Sequence, residues 1–310
     1  MKRKIYIFAV VLLVPAVLVG VFWRKQINKK SQILSEEKQK QEESLAESIN
    51  GVLVYTQIST GRPMAIIIEN HPDARPQSGL SSADIVYEAL AEGGITRFLA
   101  VFQTAKPAEI GPIRSAREYF ASLANEWGAL FVHVGGSNEV INQLKNNVYK
   151  NLSDANEYYF GDYFIRRKDK PQPHHIFSST DKLEELATFQ KISSTAQYQS
   201  WKFKDDQPAS TTEATSNISI DFSRAGYEVG WQYNSSDNSY NRMQYFLPHL
   251  DAITNKQISA KTVVVQVVKV TPVPKDPLLS VDIDLTSGGK AYIFLDGRLI
   301  EGEWKNAQGK

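Results

Sequence analysis

The side chains best suited to chemistry crowd into one stretch of the chain. Asn70, His71, Asp73, Arg75, Gln77, Asp84, Glu88, Glu92, Arg97, Arg114, Arg117 and His133 fall beside Gly and Pro turns at the ends of expected strands. Ligands of α/β sheets collect at such strand ends. Guanidinium forks bind phosphate and carboxylate in a bidentate way. Arg75, Arg97, Arg114 and Arg117 are therefore candidates to grip an anion, with Asn70 and Gln77 to orient it. Arg114 and Arg117 stand three apart at the start of an expected helix, so they can share a face. Such a pair also serves as a salt-bridged surface, and Glu88 and Glu92 are ready partners. Gly135-Gly136-Ser137 opens another helix, where free N–H groups and the positive dipole end suit an anion. This makes Ser137 a ligand candidate, although the same string is an ordinary helix cap. Glu92 and His133 are the candidates for acid or base; a strand-end His equally fills a structural role. Pro173-His174-His175 has metal-binding residue types, but adjacent side chains of an extended chain point opposite ways. No metal site and no cofactor are expected. A buried ion network that only holds the fold is the competing reading of the whole cluster.

Several mechanisms lack their parts. The chain has no G-x-x-x-x-G-K-[ST] loop, no G-x-G-x-x-G, no H-E-x-x-H and no G-x-S-x-G elbow. Its 310 residues leave room for one or two domains. With 42% hydrophobic and 22% charged residues, it has a packed core rather than wholesale disorder. Lys plus Arg is 35 and Asp plus Glu is 34, so there is no global basic surface, and no nucleic-acid partner is expected. The absence of cysteine excludes a disulfide scaffold, thiolate metal sites, a thiol nucleophile and a lipidated cysteine.

The elements that must position these residues follow from hydrophobic patterning. Met64–Ile68, Phe98–Phe102 and Ala129–Val134 are short apolar runs typical of buried strands. Ser81–Asp84 caps an expected helix through Leu90. Ser115 opens one to Trp127, and Ser137 caps one over Glu139–Asn146. The alternation predicts an α/β domain with a central sheet over 51–208. The polar string 209–217 reads as a linker. Beyond it, Ile218–Phe222, Tyr227–Tyr233, Thr262–Val270 and a hairpin turning at Asp296-Gly297 predict a small antiparallel β-rich domain over 218–310.

Ahead of both lies Ile5–Trp23, 19 residues without charge. As a helix it would run about 28 Å, close to a bilayer core. No small-x-small cleavage site follows it, so it reads as an uncleaved single-pass anchor. Residues 1–4 are then a cytoplasmic tail, and 24–50 a polar stalk. The positive-inside rule nearly balances; the favoured orientation leaves the bulk of the chain outside.

Long strings in the globular part resemble the YerB-like putative lipoprotein family of bacteria. They include Glu69-Asn70-His71-Pro72, Ala74-Arg75-Pro76-Gln77-Ser78-Gly79-Leu80, Glu92-Gly93-Gly94-Ile95-Thr96-Arg97-Phe98, Gly111-Pro112-Ile113-Arg114-Ser115-Ala116-Arg117 and His133-Val134-Gly135-Gly136-Ser137. Tyr240-Asn241-Arg242, Pro248-His249-Leu250-Asp251 and Gly302-Glu303-Trp304-Lys305 extend the likeness to about Lys305. The resemblance implies a two-domain unit of unknown function held outside the cytoplasmic membrane. The chain departs from it in having no lipid-attachment cysteine. Family members run past the Trp-Lys strand, which suggests a truncation at Lys310 and a second sheet short of an edge strand.

Three functional readings follow. The first is binding of an anionic cell-envelope component by the Arg/His/carboxylate cluster. The second is an envelope hydrolase or transferase using Glu92 or His133. The third is an envelope scaffold whose contact surface is the β-rich domain.

Overall fold

The computed structural model describes residues 24–32, 45–51, 53–55, 61–210 and 217–306. The expected anchor Ile5–Trp23 lies outside them, as does most of the expected linker. Among the described residues no helix is long and apolar enough to cross a membrane. The chain divides into two compact units, Met1–Glu47 with Leu53–Thr56 and Ser48–Val52 with Gln57–Lys310. In the first, a helix covers 24–32, and β1 (Leu45–Glu47) pairs antiparallel with β2 (Leu53–Tyr55). The end of the expected stalk is therefore strand; Asn50-Gly51, a hairpin turn signal, went unused in the reading.

The second unit begins with a five-stranded mixed sheet of β3 (Met64–Glu69), β4 (Ile85–Leu90), β5 (Thr96–Phe102), β6 (Leu130–His133) and β7 (Ser153–Asn156), in the order β4-β5-β3-β6-β7. β5 runs antiparallel to central β3, and β6 parallel to it. Helices α1 (Glu118–Glu126), α2 (Asn138–Lys145), α3 (Glu157–Phe160) and α4 (Thr180–Phe189) complete this half. Alternation along β3 divides its side chains. Ile66 and Ile68 join Leu183 and Leu186 of α4, while Ala65 and Ile67 join Phe120 and Ala124 of α1. A strand covered on both faces needs a continuous apolar run, which is why Met64–Ile68 is legible.

Two expected helices are corrected. Ile85–Leu90 is strand β4, paired along its length with β5. Ile85, Tyr87 and Ala89 pack on the α1 side of the sheet, a period of two that the helix reading overlooked. The helix expected from Ser115 begins only at Glu118. Arg114 instead gives its backbone N–H to Ile67, and Ala116 gives its own to Gly135. These sheet-like bonds hold 114–117 extended, so Arg114 and Arg117 share no helical face.

A short pair, β8 (Ile165–Arg166) and β9 (Ile176–Phe177), leads to the β-rich half. There β10 (Asn217–Asp221), β11 (Glu228–Asn234), β12 (Ser239–Gln244) and β13 (Leu247–Pro248) form a meander, with β14 (Ser259–Ala260) also on β12. β15 (Thr262–Gln266), β18 (Gly289–Leu295) and β19 (Arg298–Trp304) form a second sheet, and β16 (Lys269–Pro272) and β17 (Val281–Asp284) a hairpin. The single strand expected over Thr262–Val270 is thus two, in different sheets. Asp296 and Gly297 both have positive φ, 55° and 76°, as a two-residue turn matched to strand twist requires. The architecture is a mixed α/β domain around a central sheet, followed by a β-rich domain.

Candidate functional site

The polar cluster is built on the ends of β3 and β5 and closed by β12. Glu69 and Arg97 are register partners across these first two strands, and both are buried. Glu69 Oε1 accepts the backbone N–H groups of Asn70 and His71 at 3.0 and 3.2 Å. Its Oε2 accepts Arg114 Nε at 2.7 Å, and Arg97 Nε stands 3.9 Å from Oε1. Arg97 also pairs with Glu92 and donates Nη1 to the Ser115 carbonyl at 3.3 Å. Arg117 donates Nη2 to the other Glu92 oxygen at 2.5 Å and Nη1 to the Ala116 carbonyl at 2.7 Å. Burial alone would raise the Glu92 carboxyl; Arg97 and Arg117 outweigh it and hold that carboxyl below its ordinary value.

The β-rich domain seals the far side. Arg242 of β12, buried among the rings of Phe98 and Trp231, donates to Glu88 Oε2 at 2.6 Å, Gln244 Oε1 at 2.9 Å and His249 Nδ1 at 2.8 Å. His249 Nε2 in turn donates to Gln77 Oε1 at 2.7 Å. A guanidinium only donates, so His249 Nδ1 must be the unprotonated nitrogen. Burial, with Arg242 and Arg75 adding to it, pushes this imidazole down to about 2. Asn70 bonds Thr96 and Gln244 through Nδ2 and accepts Arg75 Nε at 3.0 Å and Gln77 Nε2 at 3.1 Å. Arg75 reaches the Gly226 carbonyl at 3.0 Å and lies over the Tyr227 ring. Asn70 and Gln77 thus orient protein groups in this seam.

The cluster holds five guanidiniums, of Arg75, Arg97, Arg114, Arg117 and Arg242, and three carboxylates, of Glu69, Glu88 and Glu92. These hydrogen-bonded members carry two more positive than negative charges; Asp73 beside His71 and His174, and Asp276 through a longer-range attraction to Arg117, offset part of that surplus at the edge of the cluster. Arg114 is partly exposed. Beyond its Nε bond to Glu69, no hydrogen bond from its Nη groups is formed among the described residues.

The remaining candidates lie elsewhere. His133 is fully buried, its ring nitrogens 2.6 Å from the Gly135 carbonyl and 2.7 Å from Asp154 Oδ1. Among the described residues, no hydrogen bond or ion pair joins it to Glu92. Ser137 caps α2 by accepting the Val140 N–H at 3.1 Å and donates to Glu118 at 2.6 Å, which engages its hydroxyl within the fold. His174 stacks on His71, not His175, with ring centroids 5.0 Å apart and planes 11° apart. Asp73 completes a group whose three ligand atoms lie within 4.8 Å of one another. Reasoning from adjacent residues had set His174 aside as a ligand. Burial lowers the His174 pKa; Glu69 opposes this, and His71 and Arg114 add to it.

Sequence reasoning also missed Arg242, Gln244 and His249 as site residues. A signal was present: Tyr240, Arg242 and Gln244 alternate along β12, and all three point inward. A charged residue in register with a buried Tyr marks a partner from outside the strand.

Comparison with known proteins accounts for the whole two-part layout. Residues 50–193 match "Protein of unknown function (DUF3048) N-terminal domain", and 218–310 match the corresponding C-terminal domain. The chain belongs to this family. "Putative lipoprotein YerB" of Bacillus subtilis (strain 168) is 34% identical over 268 residues, which cover 84% of this chain and 78% of that protein. The crystal structure of the Bacillus subtilis YerB protein superposes with a TM-score of 0.76 at 33% identity, over 86% of this chain and 88% of that one. The YerB-like resemblance read from the sequence is therefore correct.

Proposed function

We propose that the chain is a membrane-attached, extracytoplasmic protein that holds an anionic cell-envelope component at the open side of its arginine cluster. The observation that carries this is the charge imbalance, five guanidiniums against three carboxylates, together with the free Nη face of Arg114. A partly desolvated site with surplus positive charge favours a phosphate or carboxylate. Arg114 grips the anion, while Arg75 is committed to Asn70 and the Gly226 carbonyl. Arg97 and Arg117, each bonded to Glu92, hold the framework. The location rests on the uncharged run Ile5–Trp23 and on the word lipoprotein in the relative's name. The test uses the purified full chain with teichoic-acid-like polymer and with peptidoglycan fragments. Binding that weakens with added salt and is lost in Arg114→Ala supports the reading. No binding, or equal binding by the variant, removes it.

A scaffold reading is favoured by one feature of the β-rich domain. Tyr245 and Phe246 adopt positive φ, 49° and 64°, at the turn after β12, a conformation that strains bulky residues. Phe246 and Leu247 there are 78% and 67% exposed. Such a tip fits an apolar contact. Crosslinking from position 246 in cell envelopes tests it: a discrete protein adduct supports the contact, and its absence counts against it.

A further inference from the structure

We propose that His71, Asp73 and His174 form a binding site for a transition-series divalent cation, beside the free face of Arg114. Nothing in the anion reading requires this metal, and the two fail separately.

The chain has five histidines. Two are fully engaged: His133 by Gly135 and Asp154, and His249 by Arg242 and Gln77. Of the other three, His71 and His174 come together with Asp73, each offering one ligand atom within 4.8 Å of the others; His71 Nδ1 also accepts the Asp73 N–H at 3.3 Å. A second, independent observation points to a ligand. His174 is 7% exposed, yet its Nδ1 has no hydrogen-bond partner; His175 Nδ1, outside the group, is likewise buried without one. A buried imidazole nitrogen without a partner is uncommon, because its hydration is lost without compensation. Metal coordination is one way to supply the missing contact.

The donor set selects the class of ion. Two imidazoles and one carboxylate suit Zn²⁺, Co²⁺ or Mn²⁺; Ca²⁺ and Mg²⁺ prefer all-oxygen shells. Three protein ligands leave coordination positions open, the pattern of reactive rather than purely structural zinc sites. Metal–nitrogen distances near 2.1 Å need the ligand atoms roughly 3.4 Å apart. The side chains that must move are the more exposed ones, His71 at 37% and Asp73 at 67%, and their movement gives up the His71 cap on the Asp73 N–H. The backbone beneath them is already held, because Glu69 accepts the His71 N–H.

The experiment takes the purified full chain without a polyhistidine tag, strips it with chelator and titrates it with Co²⁺, then Zn²⁺. The expected result is one Co²⁺ per chain, with visible ligand-field absorption that Zn²⁺ abolishes. His71→Ala and Asp73→Asn, at accessible positions, are expected to weaken binding at least about tenfold. Thermal unfolding of the metal-free protein should stay unchanged in Asp73→Asn and fall only slightly in His71→Ala, which loses a helix cap and a ring stack. His175→Ala, whose ring lies outside the group, keeps full binding. Failure of the wild-type chain to take up one equivalent overturns the site. So does undiminished binding in the His71→Ala/Asp73→Asn double variant.

Discussion

The two sides of Glu69 use the same residue type for different ends. On the sealed side, Arg97, Arg117 and Arg242 are buried and bonded to Glu92, Glu69 and Glu88. On the open side, Arg114 gives one nitrogen to Glu69 and presents the rest outward, next to the stacked rings of His71 and His174. An arginine with every neighbour neutralised contributes to specificity and cohesion of the fold. One with idle donors at a partly exposed position contributes a site; the idle Nε groups of Arg97 and Arg117 are buried. Counting arginines in a sequence cannot separate these roles; the exposure of their side chains in the fold does.

The comparison breaks most easily on its sealed side. Arg97→Ala leaves Glu92 and Glu69 short of a buried cation and should lower unfolding free energy by about 3–5 kcal/mol in urea titrations. A loss no larger than that of Arg114→Ala would mean that Arg97 is no more embedded than Arg114. His249 supplies the next effect, through pH. The unfolded imidazole binds a proton near pH 6.5, whereas the folded one resists protonation down to about 2. Between these values the unfolded state carries more protons, so acidification favours unfolding. From pH 7 to 5 this amounts to about 2 kcal/mol. His249→Asn should flatten that slope; an unchanged slope would show that the ring is not held neutral.

A double-mutant cycle on Glu88 and Arg242, 154 positions apart, sharpens the contrast further. Their coupling should be about 1–3 kcal/mol, and a value near zero would leave the two domains unlinked by this pair. Arg114→Ala should cost less than Arg97→Ala. Glu69 Oε1 keeps two backbone donors and Arg97, but the buried Oε2 loses the Arg114 hydrogen bond, so the expected loss is about 1–3 kcal/mol.

Local signals in the sequence carried much of the fold. Met64–Ile68 reads as a strand because both its faces are covered. Ser137 reads as a cap because its hydroxyl accepts the Val140 N–H, and Asp296-Gly297 as a turn because both residues need positive φ. Ile85–Leu90 was misread because Ser81–Asp84 looks like a helix cap. In the fold, Leu80–Ser82 is a short 3₁₀ turn with Ala83 extended behind it. The site was legible in its members but not in their partners. Arg97 and Arg114 stand at element ends, as read, but Glu69, the buried carboxylate they share, was not among the candidates, because which carboxylate neutralises which arginine depends on strand register. Arg242 and His249 arrive from more than 150 positions away, and no local spacing encodes that approach. His174 meets His71 for the same reason, through chain return and not through its neighbour.

The most direct measurement compares wild-type, Arg114→Ala and Arg117→Ala chains by calorimetric titration with a polyanionic wall polymer at low and high salt. The account expects tight, salt-sensitive association in the wild type. Arg114→Ala should weaken it at least tenfold while the chain stays fully folded at the titration temperature. Arg117→Ala should weaken it only to the extent that it destabilises the fold. Indistinguishable affinities for wild type and Arg114→Ala would contradict the division between an open and a sealed side.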